Sequence, residues 1–422
     1  MRKFVVIAAS AAVLSAGLQA PAWAGAQASP TNVEIVWTPD TDIRLSWQDQ
    51  GEGNTVQVEY ENPHRIELVR SVTAAEGNEV ILPAKFDAAD RVRLLVSTSD
   101  GLSVATPTAW FDTRRPPPPG LYDALETNRQ GTNLYWKGEA GPDSTPNDAL
   151  DNPYPYVPVV RAVVDLPGTA TETHTFKPGQ TSAALTRMAR PAAIRLIASN
   201  EWGETPDTKI VRLGTMGAGI SVPASAVYGN RLGIKSTLDL FTSEGREERA
   251  SGIKVELQAR AKSTDAWKTY GRYAGNTTAA FDTGIASLGN REYRLWVPAR
   301  KVVSGNVIAL TSATSTSARS SKTLIKFVSR GFTPAVARRG ANVDLSARIS
   351  PASTVKARLQ FWDGRNWLDA GPLQFNKGYA LQHGSAGDEP GTERYRITVP
   401  AVVVNGLTVS ATTSSAFTLT TR

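Results

Sequence analysis

The stretch REYRLWVPA occupies residues 291–299, and ERYRITVPA occupies residues 393–401. Two earlier stretches share the pattern in a more worn form: RVRLLVS from Arg91 and AIRLIAS from Ala193. In each, an apolar residue or Tyr precedes an Arg. An apolar residue follows, then any residue, then Val or Ala, then Ser or Pro. The aligned arginines are Arg93, Arg195, Arg294 and Arg396, separated by 102, 99 and 102 residues. Four copies at a nearly constant period imply four domains of similar construction.

Within each copy the apolar positions alternate with period two, the mark of a half-buried strand. The arginines then point outward as solvent-facing spacers, while Val92, Ile194, Tyr293 and Tyr395 point inward. VQVEYE from Val56, GIKVELQAR from Gly252 and TVKARLQFW from Thr354 alternate in the same way. Clusters of Gly, Asn, Asp and Pro separate these runs, and no amphipathic helical pattern interrupts them. The chain is expected to be all-β, a linear array of four β-sandwiches.

LSWQDQGEGNTVQVEYEN, followed later by RVRLLVSTSDGLS, resembles a fibronectin type III domain, with Trp47 at the core position of the second strand. NLYWKGE, with Trp136, and IRLIASNEWGET repeat that pattern, although Val92 and Ile194 stand where the family carries a tyrosine. The C-terminal half resembles the immunoglobulin-like domains of secreted bacterial proteins. AWKTYG and NWLDAG place Trp267 and Trp367 100 residues apart, and Tyr293 and Tyr395 each follow a turn. The resemblance implies sandwiches with Trp47 and Trp136 in their cores. It also implies a tyrosine corner at Tyr293 and Tyr395, each hydroxyl bonded back to the loop backbone before its strand.

The expected boundaries are residues 29–113 and 121–214 for two fibronectin type III-like domains, then 215–317 and 323–422 for two immunoglobulin-like domains. RRPPPPG (residues 114–120) reads as a stiff extended spacer. TMGAG from Thr215 and ARSSK from Ala318 read as short joints.

The first residues supply a location. Arg2 and Lys3 precede an apolar run from Phe4 to Leu18, about 15 residues, and AWA follows at residues 22–24, the layout of a cleaved signal over residues 1–24. The run is shorter than the roughly 20 residues of a spanning helix, and no second such run follows, so no transmembrane anchor is expected. The chain contains no Cys, which excludes disulfides, thiolate metal sites and a lipid anchor on cysteine. The expected location is extracellular, secreted or held at the cell wall.

Chemistry is sparse. His64, His174 and His383 fall in three different domains, so no single domain offers a multi-histidine metal site. HGSAGDE (residues 383–389) departs from the G-x-S-x-G nucleophile elbow and reads as a turn. No glycine-rich phosphate loop leads into a helix. No enzyme activity, cofactor or resident metal is expected.

One segment breaks the repeat. From Trp47 to the next strand at Val56 is 9 residues, but from Trp136 to the matching position near Val157 is 21. The added loop carries Asp143, Asp148, Asp151, Asn152, Tyr154 and Tyr156. A sandwich brings this loop beside the one after its sixth strand, which here carries Asn200, Glu201, Trp202 and Glu204. Three readings stand open: packing of the loop on the first domain, aromatic stacking on a sugar or partner, or Ca²⁺ held by clustered oxygens. Asp148, Asp151, Asn152, Tyr154, Tyr156 and Trp202 are the candidate ligand-binding residues.

Charge is asymmetric. Residues 25–214 carry 17 basic and 25 acidic side chains, and residues 215–422 carry 27 and 14. A basic half of this kind is drawn to anionic surfaces, here a wall polymer or glycan or another surface protein. Its arginines alternate along strands instead of clustering with stacking aromatics, which argues against nucleic acid. The sequence therefore points to a non-catalytic scaffold or adhesion-type binding protein, with a carbohydrate-binding accessory protein as the alternative.

Overall fold

A computed structural model describes residues 28–127, 131–141, 143–151 and 157–422. The expected signal, and the candidate residues Asn152, Tyr154 and Tyr156, lie outside the described residues. Among the described residues no helix is long and apolar enough to cross a membrane. The chain is almost entirely β and forms two compact units. The first comprises residues up to 117 together with 139–159 and 199–205; the second holds the remainder.

In the first unit, strands Thr31–Trp37, Ile43–Gln48 and Glu79–Leu82 form one sheet, and Arg65–Val72, Asn54–Tyr60, Val92–Thr98 and Thr106–Pro107 form another. Alternation decides what each strand buries. Ile43, Leu45 and Trp47 point inward from one sheet and Val56, Val58, Val92, Leu94 and Val96 from the other, all essentially inaccessible. Burying each such aliphatic side chain contributes about 1.5–3 kcal/mol. Trp47 keeps a polar partner inside, donating its indole N–H to Asn54 Oδ1 at 2.9 Å.

The second unit contains three further two-sheet layers. The first of these pairs Leu121–Glu126, Thr132–Trp136 and Ser182–Leu185, and faces a sheet built on Val159–Asp165 and Ala192–Asn200. Trp136 is 1% exposed in the core between them. The next centres on Ser251–Arg260 and Arg291–Val297, the last on Val355–Trp362 and Gly391–Val399. Each of the four copies of the sequence phrase is thus a central strand of its own sandwich.

The expected joint at TMGAG is not a joint. One strand, Gly203–Ser221, runs through it without a break. Its residues 210–214 pair in parallel with Val307–Thr311, and its residues 215–221 pair with Lys235–Phe241. A Cβ on Gly214 would stand 2.5 Å from the Phe241 carbonyl oxygen, so the crossing point admits only glycine without displacing backbone. The Arg190–Glu126 ion pair, almost fully buried, lies at the same place: Glu126 also accepts from Ser312 Oγ at 2.8 Å.

The strand Val307–Thr311 belongs to the hairpin that follows REYRLWVPA, yet Ile308 and Leu310, each 1% exposed, pack in the core of the preceding sandwich. The hairpin after ERYRITVPA does something similar. From the Val402–Val404/Leu407–Val409 pair and the residues beside it, Thr408 O accepts the Asn290 N–H at 2.8 Å and Ser410 N donates to Thr323 O at 2.7 Å. RSSK of the expected ARSSK joint likewise lies within a strand, Arg319–Leu324, which pairs with Arg291–Val297 of the third sandwich. The repeated phrase therefore marks a core strand and also the launch of a hairpin that reaches the module before it.

Two sequence expectations need correction. Tyr395 directs its hydroxyl to the Glu393 carboxylate, and Tyr293 is buried beside Arg291, so among the described residues neither hydroxyl is tied to loop backbone. The hydroxyl-to-backbone tie in the third sandwich is made by Tyr273, which donates to Thr283 O at 3.0 Å. The repeated arginines do point outward, but three are not free spacers. Arg93, Arg294 and Arg396 lie over the rings of Trp110, Trp267 and Trp367, each 4.4–4.5 Å from the ring centroid. Each also donates Nε–H to an acceptor on the neighbouring strand: Glu59, Gln258 and Gln360, at 2.5, 2.9 and 2.7 Å.

Candidate functional site

The two unusual loops, residues 139–159 and 199–205, both belong to the first unit. Leu150 is 1% exposed within its hydrophobic core, and its carbonyl accepts the Trp37 indole N–H at 2.6 Å. Ser144 Oγ donates to Asp90 O at 2.6 Å, and Asn200 Nδ2 donates to Arg114 O at 2.8 Å. Gly203, at φ +130°, brings the backbone against Arg115; a Cβ there would sit 3.3 Å from the guanidinium Nε.

Trp202 is not an open platform. Its ring stacks on Phe111 with centroids 5.9 Å apart and planes 11° apart, and it meets Trp37 at 5.3 Å and Phe86 edge-on at 6.3 Å. The side chain fixed by the sequence Asn-Glu-Trp-Gly is a plug. Asn200 Oδ1 accepts the Trp202 N–H at 3.0 Å and closes the turn that aims it.

The acids of the inserted loop are engaged by their own turn. Asp143 Oδ1 accepts Thr145 N, Asp148 Oδ1 accepts Leu150 N, and Asp151 Oδ2 accepts Asp148 N, at 2.8, 2.7 and 3.0 Å. Among the described residues no three acidic or histidine side chains are arranged to hold a metal ion. Burial, and secondarily the neighbouring carboxylates Asp143, Asp148 and Asp151, push Asp112 up to about 6. Burial first, and then the carboxylates Asp112, Asp151 and Asp148, push Glu201 up to about 7. Asp148 and Asp151 rise for the same reasons.

These shifts have a sign. A carboxyl whose folded-state pKa is raised holds its proton more tightly when folded, so unfolding releases protons between the ordinary carboxylate range and about 7. Stability of the first unit is therefore greatest at the acidic end of that window and falls as the pH rises through it. We expect unfolding of this unit at pH 5 to require about 1–2 kcal/mol more than at pH 8, after allowance for solvent screening. Asp112→Asn should flatten the profile. Stability that is constant or rises over this range would contradict the carboxylate crowding.

Sequence reasoning found the loops but missed the triad of Arg, Trp and Glu or Gln that recurs in three sandwiches. A signal was present: Gln258 and Gln360 lie 102 apart, the same step as Arg294 and Arg396.

The architecture is that of a tandem series of four immunoglobulin-like β-sandwiches. No family model matches the chain, and no curated protein matches it. Among solved structures, a two-domain fibronectin type III segment of chicken tenascin is similar at 14% identity, covering 44% of this chain and 99% of its own, with a TM-score of 0.21. The first three fibronectin domains of chicken CNTN1 are similar at 11% identity, covering 69% and 98%, with a TM-score of 0.24.

Proposed function

We propose that this chain is an exported, non-catalytic scaffold that docks on an anionic cell-surface polymer through its basic C-terminal half. The observation that carries the reading is the sharing of strands between successive sandwiches in the second unit. Flexible tethering needs no strand that runs through a joint and no hairpin lodged in a neighbour's core; both devices hold surfaces at a set spacing, which is what a scaffold requires. The net charge of residues 215–422, 27 basic against 14 acidic side chains, supports the choice of an anionic partner. Docking on the two loops of the first unit has less support, because Trp202 is committed to packing.

The test is retention of the full chain on immobilised polyphosphate or polygalacturonate against neutral dextran. Retention on the anionic supports that falls steeply with added salt, and none on dextran, is expected. Equal retention on all three, or none on any, would contradict the reading.

A further inference from the structure

The second unit contains a cleft of about 490 Å³ lined by Arg260, Lys268, Tyr270, Arg291 and the 405–407 turn, with Asp265 as its one acidic side chain. Its walls come from two modules. Strands Ser251–Arg260, Lys268–Asn276 and Arg291–Val297 supply the cations, and the Asn405-Gly406 hairpin tip supplies the opposite wall. Both tip residues have positive φ, +51° and +75°, the two-residue turn that Asn-Gly favours.

Arg291 is the unusual member. It is only 9% exposed, and its guanidinium lies 4.3 Å from the centroid of the Tyr270 ring. It lies beside Tyr293, and its buried Nε has no hydrogen-bond partner among the described residues. Among the described residues no carboxylate forms an ion pair with it. Arg260, by contrast, is paired with Glu292 at 2.8 Å. A charge taken out of water without a counter-charge is costly, and buried cations are ordinarily compensated by an acid, a metal-free hydrogen-bond network or a ligand. Lys268 is exposed at the mouth of the same cleft and is in no ion pair among the described residues. Asp265 is turned partly to its own loop, where its carboxylate accepts Lys262 N at 3.0 Å.

We propose that this cleft is an oxyanion-binding site: it takes a phosphate or carboxylate group carried by a surface polymer. Arg291 and Lys268 provide the countercharge, and the exposed part of the Tyr270 ring, 43% accessible, lies beside the group that bears the anion. The inference rests on the docking role above and names the place where it is exercised.

The experiment is calorimetric titration of the full chain at low ionic strength with inorganic phosphate, glucuronate and glucose. Saturable binding of phosphate, glucuronate or both, with none for glucose, is expected, and the stronger of the two names the source. Lys268→Glu, at an exposed position, should weaken binding at least tenfold, about the loss of one charge-assisted contact. Arg291→Gln, checked for a native melting profile, should weaken it at least as much. Absence of saturable binding by both anions, or affinity unchanged in both variants, overturns the proposal. The two readings fail separately. Loss of phosphate binding in Lys268→Glu with intact retention on polyphosphate leaves the cleft assigned and moves the polymer contact elsewhere. Retention on polyphosphate with no phosphate binding keeps the docking role and removes the cleft.

Discussion

Replacing Trp202 with Ala should destabilise the first unit by about 3 kcal/mol, a value near the lower end for removal of a core aromatic because the side chain is only partly buried. The loss has identifiable parts. The ring is stacked on Phe111, tilted against Trp37 and edge-on to Phe86, and aromatic contacts of this kind add about 0.5–1.5 kcal/mol each to the area they bury. Removing it also opens a cavity beside Trp37, whose indole N–H is held by the Leu150 carbonyl. Denaturant unfolding followed by protease sensitivity within residues 28–117 measures the effect. A stacking platform for a ligand would behave in the opposite way, losing binding while the melting profile stayed unchanged. An unchanged profile for the variant would therefore contradict the packing described for this loop.

Leu310→Ala should cost about 3 kcal/mol, the usual range for a fully buried Leu. The expected location of the damage is the informative part. Leu310 follows the REYRLWVPA strand in sequence, yet its side chain lies among Leu134, Trp136, Ile194 and Leu196 in the core of the preceding sandwich. The preceding sandwich should loosen first, because Val307–Thr311 extends its sheet through the parallel pairing with residues 210–214. A second substitution in the same hairpin, at Ile308, should act in the same place and not add independently, since both residues fill one core.

Much of the fold was legible because period-two alternation survives in single strands and the phrase at Arg93, Arg195, Arg294 and Arg396 recurs with little drift. The joint at TMGAG was misread for a physical reason. Gly217 and Gly219 look like turn residues in sequence, but they are small because the side chains of Asp239 and Thr237 on the paired strand lie over them. Nothing within a few residues of Gly217 reports that partner. The inserted loop was visible as a break in the repeat, and packing on the first domain was one of its open readings. Choosing among those readings needed the position of Trp202 relative to Phe111, 91 residues away. The outward direction of Arg294 and Arg396 was legible; the Trp faces that receive them were not, because the tryptophans sit at the starts of other strands. Arg291 was read only as the first letter of the repeated phrase, and its burial without an acidic partner is a property of the assembled sheet.

The central claim is that successive sandwiches in the second unit share strands. Native-state hydrogen exchange, compared between the parent chain and Leu310→Ala, tests it most directly. In the parent, amides of residues 215–221 should be protected as strand and not exchange as a linker. In the variant, protection should fall across residues 121–127, 131–136 and 160–198, in the sandwich that precedes the substituted hairpin. Fast exchange of residues 215–221 in the parent, or loss of protection confined to residues 222–324 in the variant, would contradict the account.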